Sequence, residues 1–536
     1  MPTLTACLIV RNEGQNLDSC LEALTPFVDE ICVLDTGSTD DTVRIAERLG
    51  ARVGHYPWSN DFAAARNACI EMARGDWILC VDADELLDPE SVGGLRTLLE
   101  SPTTQAFLIW IDNLDGCFDG QGLPTFHAIG VPRLFRNRPE IRYERPVHES
   151  IADSLARLHS EPLEHSHVRL VHHGYSPEAI RAGDKLGRNH RILEQYVQEE
   201  PTDLFCAYKF GLSFAAMGDG AQAREWLSKT WKRAMALADG PRHSLPFLPL
   251  LGAELTLQRR LAGDMQGAHE IAQQARIEFP TVGEVLFELA EVERACGRLE
   301  AASEAYGSAR QCEPWSDIYT GKPGTRGALS MCGLARLSAL GGDLELASNC
   351  VAQALELEPK HWEARTIDVR LASALGKERV AWSELSSLLE EAPSNPHVQM
   401  LAAEMAWSRQ DHETARRFWR AVQKVPAYRS PARAWLCVAH LVEGDLTAAA
   451  LEARDLIATD LPEAGVLCLM GAIRQEPPTL DRRFEPAALA GELHAWLAEL
   501  AQDPAGVALE AFGRGLEQLR PLLGDDFLAV ESAEGV

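Results

Sequence analysis

The chain has no C-x-x-C pair, no uninterrupted apolar run of the ~18 residues a membrane-spanning helix needs, and far fewer basic than acidic residues. Each shortage excludes something. Thirteen scattered cysteines without metal-ligand spacing argue against a zinc site or a disulfide framework. Several of them (Cys7, Cys32, Cys80) sit in apolar runs, where a reduced thiol behaves as a small hydrophobe. Fifty-one Lys and Arg against 79 Asp and Glu give a formal charge of −28, which disfavours nucleic acid or an anionic membrane as the main partner. A local exception is the cluster Arg133, Arg136, Arg138, Arg142 and Arg145. The opening MPTLTACLIVRNEG lacks the basic segment and small-residue cleavage site of a signal peptide, so a cytoplasmic location without a transmembrane segment is expected. No G-x-S-x-G occurs, and residues 50–54 lack the spacing of a phosphate cradle.

What is present divides into two periodicities. The length of 536 residues calls for two or three domains. Up to about residue 140, short apolar runs alternate with helical patterns. Leu4–Val10, residues 30–34, 77–81 and 106–111 read as strands. Ser38-x-x-Asp41 reads as a capping box for a helix that stops at Gly50, residues 60–72 as a second helix, and Pro89 as the first turn of another. Strands alternating with helices predict an α/β domain with a doubly wound, mostly parallel sheet, and ligands in such sheets bind beyond the carboxyl ends of the strands.

From about residue 200 the pattern is helix upon helix. Turns fall at Gly218, Gly263, Gly297, Gly342, Gly376, Gln410 and Gly444, spaced by 34 residues or by 34 plus 11. Prolines keep the same beat at Pro280, Pro314, Pro359, Pro393 and Pro426. A small residue follows each turn (Ala268, Ala302, Ala347, Ala381, Ala415, Ala449), where two helices must approach closely. This unit resembles the tetratricopeptide repeat, with one 11-residue addition around 315–326 and another before Gly263. The expected domains are 1–195, a repeat solenoid over 196–470, and a helical cap over 471–536.

Asp35 ends a strand in LDTGSTDDT, where a carboxylate can meet the edge of a base; an acidic turn with a helix cap is the alternative. Asp82-Ala83-Asp84 follows WILCV directly, so that one carboxylate can reach a ribose and the other a hard divalent cation on a diphosphate.

Taken together, CLIVRNEG, VLDTGSTDDT, AAARN and the D-x-D of CVDADE resemble a family 2 glycosyltransferase of the GT-A fold over residues 1 to about 110. The resemblance implies a nucleotide-sugar donor, UDP by default, with hexosyl or N-acetylhexosaminyl transfer. It places Asn12 and Glu13 at the family's Asn-Glu pair, gives Asp35 and Arg66 to the base and Asp82 to the ribose, and makes Asp84 the ligand of Mn²⁺ or Mg²⁺. Pro146-Val147-His148-Glu149 resembles the Val-His-Glu segment of bacterial members, which makes Glu149 the candidate base of an inverting transfer. Its alternative is a surface Glu beside a core-facing His. In VHHGY, His172 aligns with a family His, and a neutral imidazole there could complete the metal shell or contact the diphosphate; the adjacent His173 keeps the assignment open, and a structural His is the alternative. Lys185, Arg188 and Asn189 face either phosphate or solvent.

A repeat array beside such a domain suggests a protein or peptide acceptor, the layout also found in bacteriocin S-glycosyltransferases. A cell-envelope glycan, with the array serving oligomerisation such as a homodimer, is the alternative. A scaffold with an inactive N-terminal domain and a nucleotidyltransferase are competing classes. The latter should carry a Gly-rich basic loop where this chain has CLIVRNEG.

Overall fold

The computed structural model describes residues 1–113, 117–118, 124–125, 128–158, 163–172, 185–316, 321–322, 324–425 and 428–457. The expected cap over 471–536, Pro426 and His173 lie outside them. By compactness the chain forms two units, the first built on Met1–Leu237 and the second on Ala238–Trp315 and the chain from Gly324.

The first unit is built on an eight-stranded mixed sheet in the order β3-β2-β1-β4-β9-β6-β10-β5. Its strands are β1 (Leu4–Val10), β2 (Glu30–Asp35), β3 (Arg52–His55), β4 (Trp77–Cys80), β5 (Glu85–Leu87), β6 (Ala106–Asn113), β9 (Ala128–Arg136) and β10 (Glu164–His172). A separate two-stranded ribbon joins β7 (Cys117–Phe118) to β8 (Pro124–Thr125). β3, β2, β1 and β4 run parallel, the Rossmann-like half expected from the sequence. β9 then enters antiparallel to both β4 and β6. β1 is apolar but for Thr5, whose hydroxyl bonds Glu30, because both of its faces are covered. Leu4, Ala6, Leu8 and Val10 join Leu17, Leu21 and Leu24 of one helix, whereas Cys7 joins Ala65, Cys69 and Ile70 of another.

Two local expectations are corrected. No capping box forms at Ser38-x-x-Asp41: Asp41 makes no side-chain cap to the helix Thr42–Arg48, and the Ser38 hydroxyl instead accepts the Asn12 N–H at 2.9 Å. A tertiary partner has outcompeted the local one. Pro89 lies in a turn, because β5 occupies residues 85–87 and the next helix begins only at Leu95. The helix Phe62–Met72 forms as read, capped by Asp61, whose carboxylate accepts the Ala64 N–H.

In the array the predicted turn positions all adopt positive φ, from 64° at Gln410 to 82° at Gly342. Glycine serves there because a side chain in the left-handed region crowds its own backbone. The charged residue after the turn is explained as well. Asp219, Asp264, Asp343, Asp411 and Asp445 each accept a backbone N–H of the helix they precede, so one dipeptide ends a helix and starts the next. The six alanines that recur after the turns are all fully buried.

Candidate active site

Three neighbouring parallel strands end at one edge of the sheet and deliver the chemistry. After β1 the chain turns through Asn12, at φ 57°, whose side chain accepts the Thr39 N–H at 2.7 Å. β2 ends in Asp35, which is buried; its carboxylate accepts the N–H groups of Gly37 at 3.2 Å and Ser38 at 3.0 Å. Burial opposes its ionisation, but these donors outweigh burial and hold Asp35 below the usual carboxylate range. Glu13 lies near the same edge, with its N–H on the Thr42 hydroxyl, and burial raises its pKa.

After β4 the run Asp82-Ala83-Asp84-Glu85 folds into a tight turn. The Glu85 N–H donates to the Asp82 carbonyl at 3.0 Å, and the Asp82 N–H donates to the Glu85 carboxylate at 2.8 Å. The turn leads directly into β5, which pairs antiparallel with β10 and sets His172 opposite Glu85. That register brings His172 Nε2 within 3.2 Å of Asp84 Oδ2. The hydrogen bond overcomes burial and raises His172, while the same bond lowers Asp84 against its own desolvation. Lys185, at the start of the helix Lys185–Glu199, places Nζ 3.9 Å from Asp84, and Arg188 stands over the Phe62 ring at 4.9 Å.

Asp82 is the hub. One oxygen accepts from Arg66 at 2.8 Å and the other from Arg133 at 2.8 Å. Arg66 also donates through Nε to Glu149 at 2.8 Å, and Arg133 donates to Glu85 at 2.6 Å. The result is a ladder of alternating charge, Glu149–Arg66–Asp82–Arg133–Glu85, drawn from a loop, a helix, a strand end, β9 and β5. Burial works against the Asp82 charge, yet Arg133 and Arg66 together hold its pKa far below the usual range. Glu85 is different: burial, aided by Asp82, pushes it up to about 7 despite Arg133.

The sequence-predicted residues thus separate. Asp82, Arg66 and Glu149 come together, as do Asp84 and His172, while Asp35 and Asn12 sit on neighbouring strand ends. Arg66 is almost fully buried and its guanidinium is engaged by two carboxylates. Asn67 beside it bonds the Tyr143 backbone in both directions, so the AAARN segment fastens the second half of the domain to the first. In Val147-His148-Glu149 the valine is buried, the histidine exposed and the glutamate directed inward, the reverse of a core-facing His beside a surface Glu. From sequence Arg133 was read only as part of a basic cluster, and Glu85 was given no role. The available signal was an arginine inside the otherwise apolar β9, which when buried demands a carboxylate.

Residues 5–160 match the family model described as Glycosyl transferase family 2. The N-terminal domain belongs to this glycosyltransferase family. The chain is 34% identical over 280 residues to a TPR repeat-containing protein of Synechococcus elongatus, covering 51% of this chain and 66% of that one. It is 29% identical to the SPbeta prophage-derived glycosyltransferase SunS of Bacillus subtilis, covering 48% and 60%. The chain therefore spans about 60% to 66% of the length of these curated relatives. Among solved structures, glucosyl-3-phosphoglycerate synthase from Mycobacterium tuberculosis, in complex with Mn²⁺, UDP and glucosyl-3-phosphoglycerate, is 28% identical, covering 20% of this chain and 44% of that one with a TM-score of 0.18. Among the described residues of this glycosyltransferase domain no three His, Cys, Asp or Glu side chains gather as a metal cage. Asp84 and His172 offer one oxygen and one nitrogen donor. Such a set suits a Mg²⁺ or Mn²⁺ ion that completes its shell with phosphate oxygens and water.

Proposed function

We propose that the glycosyltransferase domain is an inverting, divalent-cation-dependent enzyme that moves a hexosyl or N-acetylhexosaminyl group from a UDP-sugar to a protein or peptide acceptor. The observation that carries the reading is the charge ladder, which ties the Val-His-Glu carboxylate to the D-x-D turn through Arg66. Asp84 and His172 would hold the cation, which supplies Lewis-acid stabilisation of the departing diphosphate. Glu149 takes the proton from the acceptor nucleophile as that atom forms its bond to the sugar C1, and the bond from C1 to the diphosphate oxygen breaks with inversion. Asp35 lies at the base end and Asp82 at the ribose end of the donor site. Arg66, with its guanidinium already shared by two carboxylates, orients Asp82 and Glu149 rather than gripping the base.

The acceptor assignment rests on the repeat array and on the likeness to SunS, a glycosyltransferase with which this chain shares 264 aligned residues. We keep 1–195, 196–470 and 471–536 as the functional division, and the cytoplasm as the place of action; among the described residues no helix is long and apolar enough to cross a membrane.

The test is release of UDP, GDP or CMP from a panel of nucleotide sugars with and without Mn²⁺ or Mg²⁺. We expect metal-dependent UDP release that Asp84→Ala lowers by at least ~10³-fold, the loss of several kcal/mol of charge stabilisation, with unchanged thermal unfolding. Full activity in Asp84→Ala would sink the metal assignment. Silence across the panel together with no nucleotide-sugar binding by calorimetry would favour a scaffold, the reading that the repeat-only name of the Synechococcus relative invites.

A further inference from the structure

The loop that carries Glu149 is held in an unfavourable backbone conformation. Glu144 and Ser150 exchange N–H···O bonds of 3.1 and 3.3 Å and close the loop at its base. Within it Arg145 has φ 74° and His148 φ 55°, left-handed positions in which a bulky L-residue crowds its own backbone. Such a loop keeps its shape only if outside contacts over-determine it.

Those contacts are specific. Pro146 accepts the N–H of Phe62 at 2.8 Å, from the first residue of the helix that carries Arg66. Arg145 donates to Asp153 on the helix Ala152–Leu158, and its Nε donates to Asp203 Oδ2 at 2.8 Å. Its guanidinium also covers the Phe205 ring at 4.9 Å. Asp203 is the N-cap of the helix Leu204–Ala216, the first helix of the hairpin that leads into the repeats, and its other oxygen accepts the Cys206 N–H at 2.9 Å. One carboxylate therefore starts that helix and grips the loop.

We propose that Asp203, acting through Arg145, is a positioning residue for Glu149, which makes the first helical hairpin part of the catalytic apparatus. The inference rests on Glu149 as the base. Asp203→Asn isolates the effect, since asparagine caps a helix as well as aspartate does but cannot form the ion pair with Arg145.

The experiment measures UDP release from UDP-glucose and UDP-N-acetylglucosamine by the full chain, in the wild type, Asp203→Asn, Arg145→Lys, Glu149→Gln, and Asp203→Asn with Glu149→Gln. Thermal unfolding and donor binding by calorimetry are followed in parallel. Asp203→Asn should lower kcat about 10-fold with donor KM and Tm little changed, and Arg145→Lys should fall between it and the wild type. In the Glu149→Gln background the second substitution should cost nothing further, because there is no base left to position. An unchanged kcat in Asp203→Asn, or a 10-fold loss that persists in the Glu149→Gln background, would overturn the proposal. Full turnover by Glu149→Gln would instead remove the base assignment and this inference with it. No release by the wild type would overturn the transferase reading itself.

Discussion

In the sheet domain three carboxylates, Glu149, Asp82 and Glu85, share the two guanidiniums of Arg66 and Arg133. Among the repeats Glu291 is met by Arg294 at 3.0 Å, Arg260 at 3.7 Å and Arg336 at 3.8 Å, and two of these arginines reach further carboxylates, Arg260 to Glu288 and Arg336 to Glu363. Both clusters are removed from water, and both contain a carboxylate whose pKa is driven far down against the cost of burial. The difference lies in what is left over. At the strand ends acid outnumbers base, so the cluster retains capacity for an incoming cation or donor. Around Glu291 three guanidiniums meet three carboxylates, and Arg336 extends the chain to Glu363 on the next repeat, so the charges balance and fasten helices together. Burying charge is costly in either place; among the repeats it is offset by register and, in the function proposed above, at the strand ends by reactivity.

The largest expected effect tests this contrast directly. Arg133→Met leaves the buried Glu85 without its arginine and Asp82 with Arg66 alone, and should lower unfolding free energy by about 3–5 kcal/mol in urea melts. Arg336→Met removes a guanidinium that is one-third exposed and leaves Glu291 with Arg294 and Arg260, and should cost about 1 kcal/mol. Equal costs would erase the distinction. A middle-sized effect belongs to packing in the array. At Gly333 an added Cβ would lie 2.4 Å from the ring of Tyr306, a buried residue whose hydroxyl bonds Glu291. Gly333→Ala should destabilise by about 1–3 kcal/mol, read as a fall in Tm, without touching donor binding.

The smallest effect depends on pH. Burial lowers Lys209, on the helix Leu204–Ala216, from 10.5 to about 8, with Nζ over the Phe205 and Tyr208 rings. Between these values the unfolded chain holds a proton that the folded chain has lost, so this group's contribution to stability rises with pH from about 8 to 10.5. Lys209→Met should therefore stabilise the protein by about 1 kcal/mol at pH 7, and the gain should fade as the pH approaches 10.5. A gain constant across that window would assign it to packing alone.

How far each region was legible in the sequence follows from the range of its contacts. The repeats announce themselves because every unit restates the same local chemistry; Gly342-Asp343 and Gly376-Lys377 differ in the capping residue yet keep the beat. β1 was readable to the residue because a strand covered on both faces is a nearly unbroken apolar run, with Thr5 its one polar residue. The ladder was not readable, since Arg133 meets Asp82 across 51 positions of sequence through an antiparallel pairing that no local pattern specifies. Ser38 misled for the same reason: a capping signal is local, and its hydroxyl was taken by Asn12 from 26 residues away. β5, three residues long, is too short to show a period.

The glycine-aspartate junctions have a consequence for how this protein can change length. Each one closes the first helix of a hairpin and opens the second, so this seam within the repeat is chemically the same wherever it recurs. Recombination between two seams adds or removes a whole unit and leaves an intact seam behind. Recombination between non-equivalent positions strands an uncapped helix end or sets an alanine against a bulky face. The array is thus a ruler graduated in single repeats, and gene duplication can lengthen or shorten it by whole divisions only.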